Sequence, residues 1–426
     1  MFSICKWIEM RVKSKMKGSR SLILFFISLL LAFFLPSRSW PQMTIGQYED
    51  EAPFRTWNTF GLTTASNLGL GEARLTFASD CSAALSNPAL LSSLPELMVT
   101  FNSSLSSASF FKYSLINTGV LQTLGNISLS LLAFDFAGVS LRVKGWTFAL
   151  SVSLLESYNR PQALAEYSTY SLSFNQEGEL KNINFSAGRK IFSRLSAGIG
   201  LNFVYGDFKK DIIDNWTMPP ITITDSLSHE FRGYYLNAGL LYELSARIKV
   251  AAIFQTPYSK EANSYSLKRY YSPDGNTDIK TEVSARSEYQ QPLITGLGLS
   301  YQFSPNLRLA SDIIFHQWSK YNVIYFEQEG EIERRFKDIV TIGAGIEHLS
   351  HVKLFGQEAT VPLRAGLSYD PQPMKSPNSY YYYISMGTGL HWWKLCLDGS
   401  ALFGRESGSG DSLFARKFAL SLSFSL

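Results

Sequence analysis

The chain has 426 residues, 45% hydrophobic and 14% aromatic but only 17% charged, against roughly 25% charged in an ordinary soluble domain. A formal net charge of +4 is too small and too scattered to argue for nucleic acid or an acidic partner. Length alone fits two or three soluble domains or one large barrel, whereas 22 Tyr and 30 Phe among abundant Ser fit alternating apolar and small polar residues better than helical membrane spans.

The first feature in chain order is an apolar run, Leu22 to Leu35, preceded by Arg11, Lys13, Lys15, Lys17 and Arg20 and followed by Ser37 and Ser39. This is the pattern of a secretory signal peptide, read here as residues 1–39. The apolar core, about fourteen residues, is short of the roughly 20 a spanning helix needs, which makes a membrane anchor the alternative. Met16 gives a more usual start than Met1, and no Cys follows the core closely enough for lipid acylation. Beyond the signal only Cys81 and Cys396 remain. They are either a disulfide or two unrelated structural thiols.

From Met43 to Pro95 there are Gly, Ala and Ser with short apolar clusters but no sustained alternation. Residues 40–96 are therefore expected to form a plug, or hatch, inside a barrel, where irregular backbone is shielded from lipid. Phe54, Trp57, Phe60 and Leu62 are candidate ligand-binding residues, with packing of the plug as the alternative role.

Residues 97–426 alternate. Leu195, Ala197, Ile199, Leu201, Phe203 and Tyr205 interleave with Ser196, Gly198, Gly200, Asn202, Val204 and Gly206. The period recurs at Trp146 to Leu154, Leu293 to Tyr301, Val340 to Ile346, Val361 to Tyr369 and Phe418 to Leu426. Runs near ten residues suit tilted membrane strands. No stretch after the signal would cross a bilayer as a helix, so a membrane-bound chain must be a closed antiparallel β-barrel. A soluble β-sandwich is the competing reading. Aromatic residues at strand ends, such as Trp318, Tyr321, Tyr380 to Tyr383, Trp392 and Trp393, suggest interfacial girdles. Short turns such as Ser304-Pro305-Asn306 contrast with a long polar loop expected from Lys260 to Tyr289, the barrel habit of short periplasmic turns and long outer loops. The chain closes on an apolar alternating strand of the kind the barrel-assembly machinery recognises. The pattern yields about fifteen or sixteen strand segments, of which Gln162 to Phe174 and Ile279 to Gln290 are the weakest.

Parity assigns the charges. If Leu307, Leu309, Ile313, Phe315, Leu363, Ala365, Leu367, Leu395 and Leu397 face lipid, then Arg308, Asp312, His316, Glu347, Arg364, Asp398 and Lys417 point into the lumen, where opposite signs can pair.

Ala78-Ser79-Asp80-Cys81-Ser82-Ala83-Ala84-Leu85-Ser86-Asn87-Pro88-Ala89 resembles the D-x-S-A-x-x-x-N-P-A signature of the FadL/TodX family, outer-membrane transporters of long-chain fatty acids and other hydrophobic compounds. Leu307 to Asp312 leading to Gln317-Trp318-Ser319, Phe336-Lys337-Asp338 followed by Ile342-Gly343-Ala344-Gly345, and Pro362 to Asp370 resemble further family strands, in family order. Arg74-Leu75-Thr76-Phe77-Ala78 departs from the Gly-rich run that usually precedes the signature, and Leu426 replaces the usual terminal Phe. The resemblance implies fourteen strands, a hatch corner at Asn87, Pro88 and Ala89, and Lys337 as a candidate for an acidic headgroup. For the corner itself, Asn87 can bond its own backbone, Pro88 fixes φ and Ala89 permits close packing. An ordinary Asn-Pro turn starting a helix explains the three alone equally well. For Lys337, an interfacial lysine reaching toward lipid headgroups is the alternative.

Gly410-Asp411-Ser412-Leu413 spells a lipase-like string, but no His follows His391 to activate Ser412. His316, His348, His351 and His391 lack metal-ligand spacing. The expectation is therefore a non-enzymatic barrel without cofactor or metal. It would lie in the outer membrane, in contact with its lipid, and pass a fatty acid, an aromatic hydrocarbon or another hydrophobic small molecule. A FadL-like shuttle or anchor for secreted proteins, of the type IX secretion kind, and a general porin are the alternatives.

Overall fold

The computed structural model describes residues 64–110, 113–117, 120–124, 127–166, 168–327, 336–373, 375, 378–408 and 414–425. The expected signal peptide, the candidates Phe54, Trp57, Phe60 and Leu62, and the string Gly410 to Leu413 lie outside these residues.

Fourteen antiparallel strands close into one ring. They are β1 (Leu97–Phe110), β2 (Ile127–Val143), β3 (Trp146–Ser157), β4 (Tyr170–Phe192), β5 (Leu195–Thr217), β6 (Pro220–Glu243), β7, β8, β9 (Leu307–His316), β10 (Ile339–Leu354), β11 (Gln357–Pro371), β12 (Tyr380–Trp392), β13 (Leu395–Ser407) and β14 (Phe414–Ser425). Strand β7 comes in two pieces, Ile248–Gln255 and Tyr258–Tyr271, and β8 in two more, Asp278–Gln291 and Ile294–Ser304. Pro257 and Pro292, which cannot donate to a ladder, sit at the two breaks. Closure is made by β1, which pairs with β2 on one side and with β14 on the other, from Met98 opposite Ser425 to Ala108 opposite Ala415.

The outer face is apolar. Ile199, Phe203, Leu297, Leu299, Leu309, Ile313, Leu363 and Leu367 are all exposed, as lipid-facing residues of an isolated barrel must be. Their neighbours in sequence turn inward, where Asn202, Asp312, Glu347, Arg364, Asp398 and Lys417 are buried. Arg308, Glu347 and Arg364 lie in register on β9, β10 and β11. Glu347 receives Arg308 at 2.6 Å and Arg364 at 2.7 Å, and Arg364 reaches Asp398 at 2.5 Å. His391 stands 3.2 Å from the same Asp398.

Strands β4, β5 and β6 have 23, 23 and 24 residues, about twice what a tilted span needs. Their extra length runs toward the Met218-Pro219 turn that joins β5 to β6. The segment from Lys260 to Tyr289 is not a loop, because its two halves pair with each other and its first half also pairs with β6. Cross-strand pairing overrides a polar composition that reads as loop. Trp318 and Tyr321 do not join an interfacial girdle. They are buried with Phe208, Phe231, Tyr235 and Tyr289 in an aromatic core inside the upper barrel. Cys81 and Cys396 are free thiols.

Replacing Arg364 by Leu would remove the cation that joins Glu347 to Asp398, and breaking a buried pair in this way costs about 3–5 kcal/mol. We expect Arg364→Leu to lower the temperature at which the purified barrel loses its compact mobility on semi-native gels, while Leu367→Phe on the lipid face leaves it unchanged.

Candidate functional site

The stretch Thr64–Leu94 is irregular, with two single-turn helices, α1 (Ala65–Leu68) and α2 (Ala83–Ser86), and a 3-10 helix over Pro88–Ser93. Such short helices do not persist alone. Their stability comes from the wall, since Ala65, Leu68, Leu75, Ala83, Ala84, Ala89 and Leu91 are completely buried. The partners are spread around the ring. The amide of Ala65 donates to Asn102 on β1 and Ser421 on β14. Gly71 donates to Ser385 on β12 at 3.0 Å, and Arg74 and Leu75 donate to Asp312 on β9 at 2.5 and 2.9 Å. Ser186 on β4 and Asn237 on β6 both donate to the Ala84 carbonyl. The Arg308 guanidinium covers the Phe77 ring at 3.8 Å.

Asn87, Pro88 and Ala89 form a corner within this stretch. Asn87 is fully buried. Its Oδ1 accepts from the Ala89 amide, capping the 3-10 helix, and its Nδ2 donates to Leu75 at 2.7 Å and to Leu240 on β6 at 3.3 Å. Pro88 lies so close to β5 that a Cβ on Gly198 would run into its carbonyl. Gly71, at φ +63°, makes the same kind of approach to Gly366 on β11. Bare backbone on both sides is what lets the two layers touch.

Between this segment and the wall lies a cavity of about 280 Å³. Leu85, Leu155, Leu180, Ile253, Ile294 and Trp318 give it apolar sides, and Glu72, Arg74, Asp312, His316 and Asp370 add polar groups. Above it, Lys260 is buried 3.7 Å from Glu156 and 4.4 Å from the centre of the Phe231 ring. Its Nζ donates to Tyr158, whose hydroxyl donates to Glu156 at 2.5 Å. Of the seven charges expected in the lumen, Asp312 and His316 reach the cavity. Arg308, Glu347, Arg364 and Asp398 form the network lower in the wall, and Lys417 is buried on β14. Lys337 does not line the cavity. It stands just before β10, its amide bonded to the Pro373 carbonyl at 2.8 Å and its ammonium to Asn378. The Lys260–Glu156 pair and the cavity acid Glu72 escape a sequence reading, because nothing in their local pattern separates an inward charge from a solvated one, whereas Asp370 shares the parity of Arg364 on β11 and is open to the same argument.

A family model described as BamG matches residues 59–395. The chain belongs to the BamG family. No curated protein sequence matches it. Among solved structures this BamG-family barrel is similar to a FadL homologue from Pseudomonas aeruginosa, with TM-score 0.64, 14% identity, and coverage of 85% of this chain and 98% of that one. The toluene transporter TodX of P. putida gives 0.62 and 14%, with coverage of 85% and 98%. The toluene transporter TbuX of Ralstonia pickettii gives 0.59 and 13%, with 86% and 98%. The shared fold is the FadL/TodX barrel, and with its closed wall and apolar belt the chain resides in the outer membrane.

The Gly366 contact gives a direct test of what the buried segment does. Gly366→Ala would push a methyl group against the Gly71 amide, so we expect the segment to shift and ion conductance in planar bilayers to rise above that of the unaltered barrel. Unchanged conductance from a barrel that still folds would show that the segment does not obstruct the lumen at this point.

Proposed function

We propose that this protein passes hydrophobic small molecules inward across the outer membrane without an energy source, with residues 40–96 as the hatch. The observation that carries the reading is the cavity of about 280 Å³ between Thr64–Leu94 and the wall, with more apolar than polar surface along its sides. Its size is near the lower end of small-molecule pockets. Similarity to barrels described as toluene transporters supports the same reading. An open general porin fits less well, because the Thr64–Leu94 segment is bonded to strands on several sides of the ring.

Proteoliposomes test it. Radiolabelled 1-decanol or toluene should enter vesicles carrying the protein faster than empty vesicles, and labelled glucose should not. Equal rates with and without protein for both hydrophobic probes would sink the proposal.

A further inference from the structure

The turns that follow β2, β4, β6, β8, β10 and β12 gather at one end of the ring, and each of them is short. This rim is basic. Lys144, Arg194, Arg247 and Lys394 stand in four of the turns, and Arg189 stands three residues before the end of β4. The carboxylates of the same rim, Glu96, Glu243 and Glu358, fall on the inward parity of β1, β6 and β11, opposite to the exposed Phe101, Leu240 and Leu363. There Glu243 meets Lys190 at 3.4 Å and Lys249 at 3.7 Å. The cations of the turns and Arg189 form no ion pair among the described residues.

What they touch instead is aromatic. Arg189 shares the outward face of β4 with the exposed Phe185 and is paired with Trp146 on β3. Its guanidinium lies 5.4 Å from the centre of the Trp146 ring. The rings of Phe185, Phe148 and Trp146 follow one another at 6.4 Å, so on this side of the barrel the apolar belt runs out into a guanidinium. Lys394 repeats the arrangement, with its ammonium 5.3 Å from the centre of the Trp393 ring. Tryptophan rings at the end of an apolar belt mark the level of the lipid headgroups. A cation held at that level without a carboxylate has the lipid phosphate as its partner.

We propose that Arg189, with Lys144 and Arg194 in the turns on either side, holds the phosphate of an anionic glycerophospholipid whose acyl chains run along Trp146, Phe148 and Phe185. Short turns face the periplasm in barrels of this kind, which assigns the lipid to the inner leaflet. An acidic soluble protein fits this place less well, because Arg189 lies on the face that continues the apolar belt, where lipid stands. The inference is independent of what the cavity carries.

The test uses the full-length protein in detergent, mixed with dioleoyl phosphatidylglycerol or dioleoyl phosphatidylcholine and examined by native mass spectrometry. Phosphatidylglycerol adducts should form at lipid concentrations at least about tenfold lower than phosphatidylcholine adducts, since each cation beside an anionic headgroup contributes about fivefold. The double variant Arg189→Gln, Arg194→Gln should bring the two lipids to within about twofold of each other. Lys268→Gln, exposed near the far end of β7, should leave the preference as it was. Lys144→Asn serves if the double variant does not fold, because asparagine accepts the φ of +50° found there, and it should lower the preference several-fold. Equal adduct formation by the two lipids with the unaltered protein would overturn the inference. So would a phosphatidylglycerol preference that these substitutions leave intact, or one that Lys268→Gln lowers equally, since either places the preference elsewhere than at this rim.

Discussion

A backbone amide inside a bilayer has no water to bond, so its partner must come from the protein. In this chain the pairing of β1 with β14 meets that demand for the whole wall, because without it two strands would present open edges to lipid. Everything else is arranged around the ring so formed. The outer face can then be purely apolar, and the inner face must take every polar and charged residue that the alternation leaves over.

The inner face is therefore the expensive one, and its charges are dealt with in two ways. Arg308, Glu347, Arg364 and Asp398 neutralise one another along the wall from β9 to β13. Asp312 instead accepts from backbone amides of the N-terminal segment. The first arrangement stiffens the wall. The second ties an irregular stretch with little secondary structure of its own to a rigid frame, and it leaves between them a cavity whose sides mix apolar and polar groups.

Contact between segment and wall depends on small residues at matched places. Gly198 meets Pro88 and Gly366 meets Gly71 at distances that no Cβ would allow. In a strand these glycines weaken local packing, and the loss is offset by the burial of Ala65, Leu75, Ala84 and Leu91. The aromatic core around Phe231 and Tyr289 fills the upper barrel in a similar manner, with Lys260 held between rings and the Glu156 carboxylate.

The sequence by itself determined the wall. A period of two is a strictly local property, so the alternation of Ile199 and Phe203 with Asn202 and Val204 fixed which side chains share a face, and lipid fixed which face was outside. The fourteen-strand number came from the motif resemblance and not from the alternation, which runs on into strand extensions that look the same inside and outside a membrane. Only the tertiary structure decided what the inward faces meet. Trp318 and Tyr321 read as girdle residues until the ring closed and put them in the core. Lys260 to Tyr289 read as loop until β6 supplied a partner. The register that brings Asp312, Gly343 and Ser368 into one row joins residues more than fifty positions apart. Such a row follows from hydrogen-bond pairing between strands, which no local pattern encodes.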